Sequence, residues 1–227
     1  MRRPEGDGFE MNPYYQDEWV TLYCGDCKDV LPNLERHDLL LTDPPYGIGE
    51  SNRKSDSRGR STHKWKRAGV RDYGIFTWDA VAVEQSLIDL SISKSVKAII
   101  FGGNYYILPP SPCWLVWDKQ TSGDFADCEL AWTNMNKAVR RIVHLWSGFK
   151  KQVVESRFHP TQKPLRVMAW CIEQAGEVSS VLDPFSGSGT TLVAAKLRNI
   201  KATGIEREEK YCEITVNRLR QEVLQLS

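Results

Sequence analysis

Apolar runs and amphipathic stretches alternate along this chain. Leu39-Leu40-Leu41 in "DLLLTD" has no polar interruption, the pattern of a strand covered on both faces. "VTLYCGD" (20–26), "VKAIIFGG" (96–103), "CWLVWDK" (113–119), "AVRRIVHLWSG" (138–148), "SSVLDPFSGSG" (179–189) and "KATGIE" (201–206) each contain a further strand. Other segments carry a helical period. Residues 83–93 place Val83, Leu87, Leu90 and Ile92 at helical spacing. Residues 164–176 do so with Leu165, Met168, Cys171, Ile172 and Ala175, with Pro at the start and Gly at the end. "TTLVAAKLRN" (190–199) is a helix, and a closing helix over 208–223 turns Tyr211, Cys212, Val216, Leu219 and Val223 inward. Strands that alternate with helices predict a mostly parallel α/β sheet.

A length of 227 residues with 41% hydrophobic content suits one large α/β domain. No apolar stretch approaches a membrane span, and the start "MRRPEGDGFEMNPYY" has no apolar signal core, which points to the cytosol. The six cysteines are scattered among apolar positions, as expected of reduced, mostly buried thiols.

Net charge is +1, but it is unevenly spread. Residues 51–73 hold eight Lys or Arg against two Asp, with Trp65 and Tyr73 interleaved. One reading is a solvated loop. The other is a nucleic-acid contact through Arg53, Lys54, Arg58, Arg60, Lys64, Lys66 and Arg67. Its position directly after "DPPY" (43–46) favours contact.

Pro44 and Pro45 cannot continue a strand, so the Leu39–Leu41 strand stops at Thr42 or Asp43. Ligands of open α/β sheets bind beyond the carboxyl ends of strands, which makes Asp43 and Tyr46 candidate site residues. A second candidate lies late in the chain. Gly187 and Gly189 form a tight turn between a strand and a helix, and Glu206 ends the next strand, 17 residues beyond Gly189. An acid there holds a ribose in nucleotide-binding folds. Leu192 stands where a third dinucleotide-motif glycine would fall, and no "GK[ST]" follows, so neither NAD nor a P-loop is indicated. Asp183 before the turn suits a ligand with a cationic amine.

"DPPY" followed by "DPFSGSG" (183–189), with "HPTQKP" (159–164) between them, resembles the β-class S-adenosylmethionine-dependent DNA amino methyltransferases. The resemblance runs from about residue 20 to 223. It implies a seven-stranded, mostly parallel Rossmann-like sheet with helices on both faces, circularly permuted so that the cofactor half follows the catalytic half. It also implies one methyltransferase domain over 1–227: a catalytic half (20–118) with the basic loop (50–75), a short target-recognition segment (119–158) and a cofactor half (159–223). Asp43 and the Pro44 carbonyl would accept the two N–H groups of the target amine, with Asp43 also near the cofactor. Pro45 would stiffen the turn and Tyr46 would stack on the flipped base. On the cofactor side, Asp183 would face the methionine amine, and Pro184, Phe185, Gly187, Gly189 and Thr190 would form the wall. Glu206 would hold the ribose, and Asp26 and Cys27 would approach the adenine. Thr161 and Lys163 either bind the methionine carboxylate or cap the helix at Pro164.

The expected activity is methylation of adenine N6 in double-stranded DNA, by a monomer or homodimer. Cytosine N4 is the alternative, and Asp43 favours adenine because that other branch more often carries serine there. A catalytically inactive DNA-binding relative is a further alternative, opposed by the intact Asp43, Tyr46 and Gly187. Pro112-Cys113 resembles the nucleophile of cytosine-ring methyltransferases, but Cys113 opens an apolar strand and reads as a core thiol. Cys24-x-x-Cys27 has no second pair to complete a zinc site. Trp114 and Trp117 read as core.

Overall fold

The computed structural model describes residues 12–47, 82–120, 126–145 and 162–223. Along the chain run β1 (Tyr15–Gln16), β2 (Val20–Cys24), α1 (Cys27–Val30), β3 (His37–Thr42), α2 (Gln85–Ser93), β4 (Ser95–Phe101), β5 (Trp114–Asp118), β6 (Cys128–Thr133), β7 (Arg140–Val143), α3 (Leu165–Ala175), β8 (Ser180–Asp183), α4 (Thr190–Lys196), β9 (Lys201–Glu206) and α5 (Glu209–Val223). One nine-stranded sheet has the order β1-β2-β9-β8-β3-β4-β6-β5-β7. The run β2-β9-β8-β3-β4-β6-β5 supplies the seven strands expected. All of these are parallel except β6, which is antiparallel to both β4 and β5. The sheet gains one strand at each edge, the two-residue antiparallel β1 and the parallel β7.

The uninterrupted apolar runs have a direct structural cause. Leu39 and Leu41 of β3 face one layer with Ile99, Phe101 and Val181, against α3, α4 and α5. Leu40 faces the other with Ala98, Ile100 and Leu182, against α1 and α2. Both sides of the central strands are covered, so alternation disappears. Full burial of one such leucine contributes roughly 1.5–3 kcal/mol. The helical faces turn inward as their period requires: Met168, Cys171, Ile172 and Ala175 on α3, and Tyr211, Cys212, Val216 and Leu219 on α5, are buried. Cys113 and Trp117 are core, and Trp114 packs against it. Among the described residues no helix is long and apolar enough to cross a membrane.

The sequence pattern does not predict β6. "CELAWT" lacks a regular alternation, because its buried half lies at the sheet's interior and its first half at the edge where the site forms. β6 and β7 both fall within the segment expected to recognise the target, 119–158. Residues 128–133 and 140–143 are sheet, and 121–125 and 146–161 lie outside the described residues.

Candidate active site

Parallel pairing brings the carboxyl ends of β3, β8 and β4 side by side. The two sequence motifs therefore meet although they lie far apart in the chain. Thr42 Oγ1 donates to Asp183 Oδ1 at 2.7 Å, linking the ends of β3 and β8 directly. Asp43 follows at the strand tip. Its Oδ1 accepts the Tyr46 hydroxyl and its Oδ2 pairs with the Lys163 ammonium. Lys163 also reaches Glu129 Oε2 on β6 at 3.0 Å. Glu129 Oε1 in turn meets Lys119 Nζ at 2.5 Å. Four alternating charges thus run along the carboxyl edge of the sheet.

Burial and pairing set the protonation of this row. Burial raises Asp43 above the ordinary carboxyl range, with Lys163 and the Tyr46 hydroxyl pulling it back. Burial would push Lys163 down, but Asp43 and Glu129 more than offset it, so the ammonium stays charged. Burial likewise opposes ionisation of Glu129, but Lys163 and Lys119 overcome it and hold its carboxyl below the usual range.

The two proline carbonyls differ. Pro45 O accepts both the Tyr106 hydroxyl at 2.7 Å and Val83 N–H at 3.3 Å. Among the described residues Pro44 O has no such partner. The Tyr46 ring stacks on Tyr105, with centroids 4.9 Å apart and planes 16° from parallel. Tyr105 is half exposed. A Cβ on Gly102 would lie 2.1 Å from the Tyr46 ring, so glycine at the end of β4 is what lets the ring lie down there.

On the other side of β8, Glu206 ends β9. Its Oε2 accepts Gly187 N–H and its Oε1 accepts Glu208 N–H, both at 2.8 Å. Burial still prevails, pushing its pKa up to about 7. Gly187, at φ +53°, has open space where a Cβ would stand. Gly189 differs: a Cβ there would come 2.4 Å from the Thr215 side chain, so this glycine serves helix packing against α5. Thr190 begins α4 and is buried. Asp183 is buried with its carboxylate held by Thr42, Thr191 and Phe185 N–H, and burial raises its pKa to about 6. It ties the ends of β3 and β8 together. Pro184 is buried and Phe185 partly so. Asp26 caps α1 by accepting Lys28 N–H at 2.9 Å. The side chain of Cys27 is buried, packed in the core under α1.

Lys163 stands differently from its expectation at the cofactor carboxylate or the helix cap. Its ammonium is committed to two protein carboxylates, and α3 begins after Pro164 with no side-chain cap. Thr161 and the basic residues Arg53, Lys54, Arg58, Arg60, Lys64, Lys66 and Arg67 lie outside the described residues. Sequence reasoning missed Glu129, Lys119 and Tyr105. The available signal was slight: an acid inside an apolar segment, and an aromatic after the Gly-Gly turn.

Known proteins resemble this chain in sequence and in fold. The DNA methylase family model, for N6 and N4 enzymes, matches residues 104–217. The type II methyltransferase M2.LlaDCHI of Lactococcus lactis subsp. cremoris is 38% identical over 248 residues, covering 91% of this chain and 91% of its own. M.HinfI of Haemophilus influenzae is 42% identical over 254 residues, covering 88% of this chain and 68% of its own. Among solved structures, an M1.HpyAVI–SAM complex aligns with a TM-score of 0.55 at 20% identity, over 88% of this chain and all (100%) of that one. The PvuII DNA methyltransferase, described as cytosine-N4-specific, aligns at 0.56 and 16% identity, over 93% and 90%. At these identities the two structures share the fold. The fold and the paired strand-end motifs define an S-adenosylmethionine-dependent methyltransferase. The chain belongs to the N6/N4 amino methyltransferases of DNA.

The residues present fit that cofactor. An acid able to accept ribose hydroxyls lies beside a glycine with free space above its Cα, at the carboxyl end of adjacent parallel strands.

Proposed function

We propose that the protein methylates the N6 amino group of adenine in double-stranded DNA. The observation that carries this reading is the pairing at the β3 tip of an acidic acceptor, Asp43, with an uncommitted carbonyl, Pro44 O. An adenine amine is a weak nucleophile because its lone pair is delocalised into the ring. Asp43 accepts one N–H and Pro44 O the other, which draws the nitrogen toward tetrahedral geometry and frees its lone pair. Pro45, anchored through its own carbonyl by Tyr106 and Val83, keeps the Pro44 carbonyl in place. S-adenosylmethionine, when bound, supplies an already activated methyl group. What the protein adds is chiefly position and charge.

Glu206 and the Gly187 turn hold the ribose end of the cofactor, with Asp26 near its base. Asp183 acts by fixing Thr42, and with it the start of the DPPY turn. The target base leaves the duplex at a cost of roughly a few kcal/mol. Stacking on Tyr46 returns about 1–3 kcal/mol of this. Tyr105 covers one face of the Tyr46 ring, which leaves the other face for the base. Arg53, Lys54, Arg58, Arg60, Lys64, Lys66 and Arg67 supply positive charge for contacts to DNA phosphates. Asp43 supports adenine over cytosine as the target.

Expression in bacteria free of DNA methylation, followed by direct sequencing of modified bases, tests the reading. N6-methyladenine at one short sequence is expected. N4-methylcytosine would overturn the choice of base, and unmodified DNA would overturn the activity.

A further inference from the structure

The row of charges at the sheet edge contains a residue to which neither motif gives a role. Glu129 comes from β6, the reversed strand, and meets Lys163 on one oxygen and Lys119 on the other. Lys163 is 7% exposed and cannot turn to water for compensation. Methyl transfer places positive charge on the target amine beside Asp43. A lone ammonium at Lys163 would cancel the Asp43 charge and repel the charge that develops. A second carboxylate on Lys163 removes this conflict.

We propose that Glu129 is a positioning residue for methyl transfer, neutralising Lys163 so that the Asp43 charge remains available to the substrate amine. This rests on the reading that Asp43 binds that amine. The arrangement is specific. The four groups sit on four separate segments: the residue after β3, the turn before α3, β6 and the residue after β5. With both lysines charged and both acids ionised, the row sums to zero. Each Asp43 oxygen accepts one protein donor, and a carboxylate has about four acceptor positions, so room remains for the amine N–H.

A pH profile separates this role from simple structural support. The charged and titratable groups facing Asp43 are Lys163, Glu129, Tyr46 and, through Thr42, Asp183. Tyr106 and Cys171 lie just beyond, and burial raises the Cys171 thiol so that it stays neutral near pH 7. Glu129 raises the proton affinity of Asp43, and Lys119 screens Glu129. Removing the two charges therefore moves the acid limb of the rate in opposite directions.

The experiment measures single-turnover methylation of unmethylated genomic DNA at saturating S-adenosylmethionine from pH 5 to 9. Glu129→Gln should lower the plateau rate roughly a hundredfold and shift the acid limb to lower pH. Lys119→Met, at the outer end of the row, should shift that limb to higher pH. Shifts in the same direction in both variants, or none in either, overturn the proposal. If Glu129→Gln does not fold, the Lys119→Met shift decides alone: upward supports, absent or downward overturns. Asp43→Ala serves as the reference. Its inactivity keeps the underlying reading, whereas normal turnover would remove that reading and leave the charge row a structural feature.

Discussion

The Thr42 hydroxyl donates 2.7 Å to the buried Asp183 carboxylate, joining the strand that ends in DPPY to the strand that ends in DPFSGSG. Valine has the shape of threonine without the donor. Thr42→Val should cost about 1.5–3 kcal/mol, the range for a hydrogen bond to a charged group. The pKa of Asp183 is raised to about 6, so the loss should be fuller above that pH, where the acid is ionised. Urea unfolding at pH 5 and pH 8 measures both. Equal and negligible losses would show that the bond is not a coupling element.

Glu206 gives the cofactor-free protein a defined pH dependence. Its pKa rises from an ordinary 4.5 to about 7 on folding, chiefly through burial. The folded state thus binds the proton more tightly, and this contribution to stability is complete below about pH 4.5 and lost as pH rises to 7. The amount is on the order of 3 kcal/mol. Ribose hydroxyls need the ionised acid, so S-adenosylmethionine binding should weaken about tenfold per unit below pH 7. Glu206→Gln should bind weakly with little pH dependence. Calorimetry from pH 5.5 to 8 tests this, and a wild-type affinity flat across that range contradicts it.

The two glycines of the cofactor turn should separate folding from binding. Gly187 has a positive φ and open space, so Gly187→Ala should fold with a loss of about 1–2 kcal/mol yet obstruct the ligand. Gly189 would press a Cβ on Thr215, so Gly189→Val should lower the melting temperature strongly before binding is considered. Thermal melts paired with calorimetry distinguish the two. Undiminished cofactor affinity in Gly187→Ala would place the ligand elsewhere.

The basic segment is tested through salt. If Arg58, Arg60, Lys64 and Lys66 contact phosphates, changing all four to alanine should weaken DNA binding and flatten the log K against log salt slope by about 0.9 per contact. S-adenosylmethionine affinity should stay unchanged. A variant with the parent's affinity and slope would leave the segment a solvated loop.

The sheet and the placement of its motifs were legible because burial on both faces writes itself as uninterrupted apolar runs. Leu39–Leu41 and Val181–Leu182 needed no partner to be recognised. β6 was not legible, because Cys128 and Glu129 serve the edge while Ala131 and Trp132 serve the core. The site divides similarly. Asp43, Tyr46 and Glu206 follow from their place at strand ends. The partnership of Lys163 with Asp43 spans 120 positions and depends on a fold-level crossing that local spacing cannot report. Asp183 reads from its place before the glycine turn as a ligand contact, and its bracing of Thr42 and Thr191 is a second role that local spacing does not report.

The strand order carries a consequence for the newly made chain. β2 and β3 are neighbours in sequence, yet β9 and β8 lie between them in the sheet. While the ribosome is still working toward Ser180, where β8 begins, the apolar edge of β3 has no partner on that side. At typical elongation speeds that wait lasts on the order of ten seconds. Throughout it Leu39–Leu41 is an exposed sticky edge for chaperones to cover. The cofactor turn and the DPPY turn then come together in one closing event, so a truncated translation product carries half a site and cannot mark DNA.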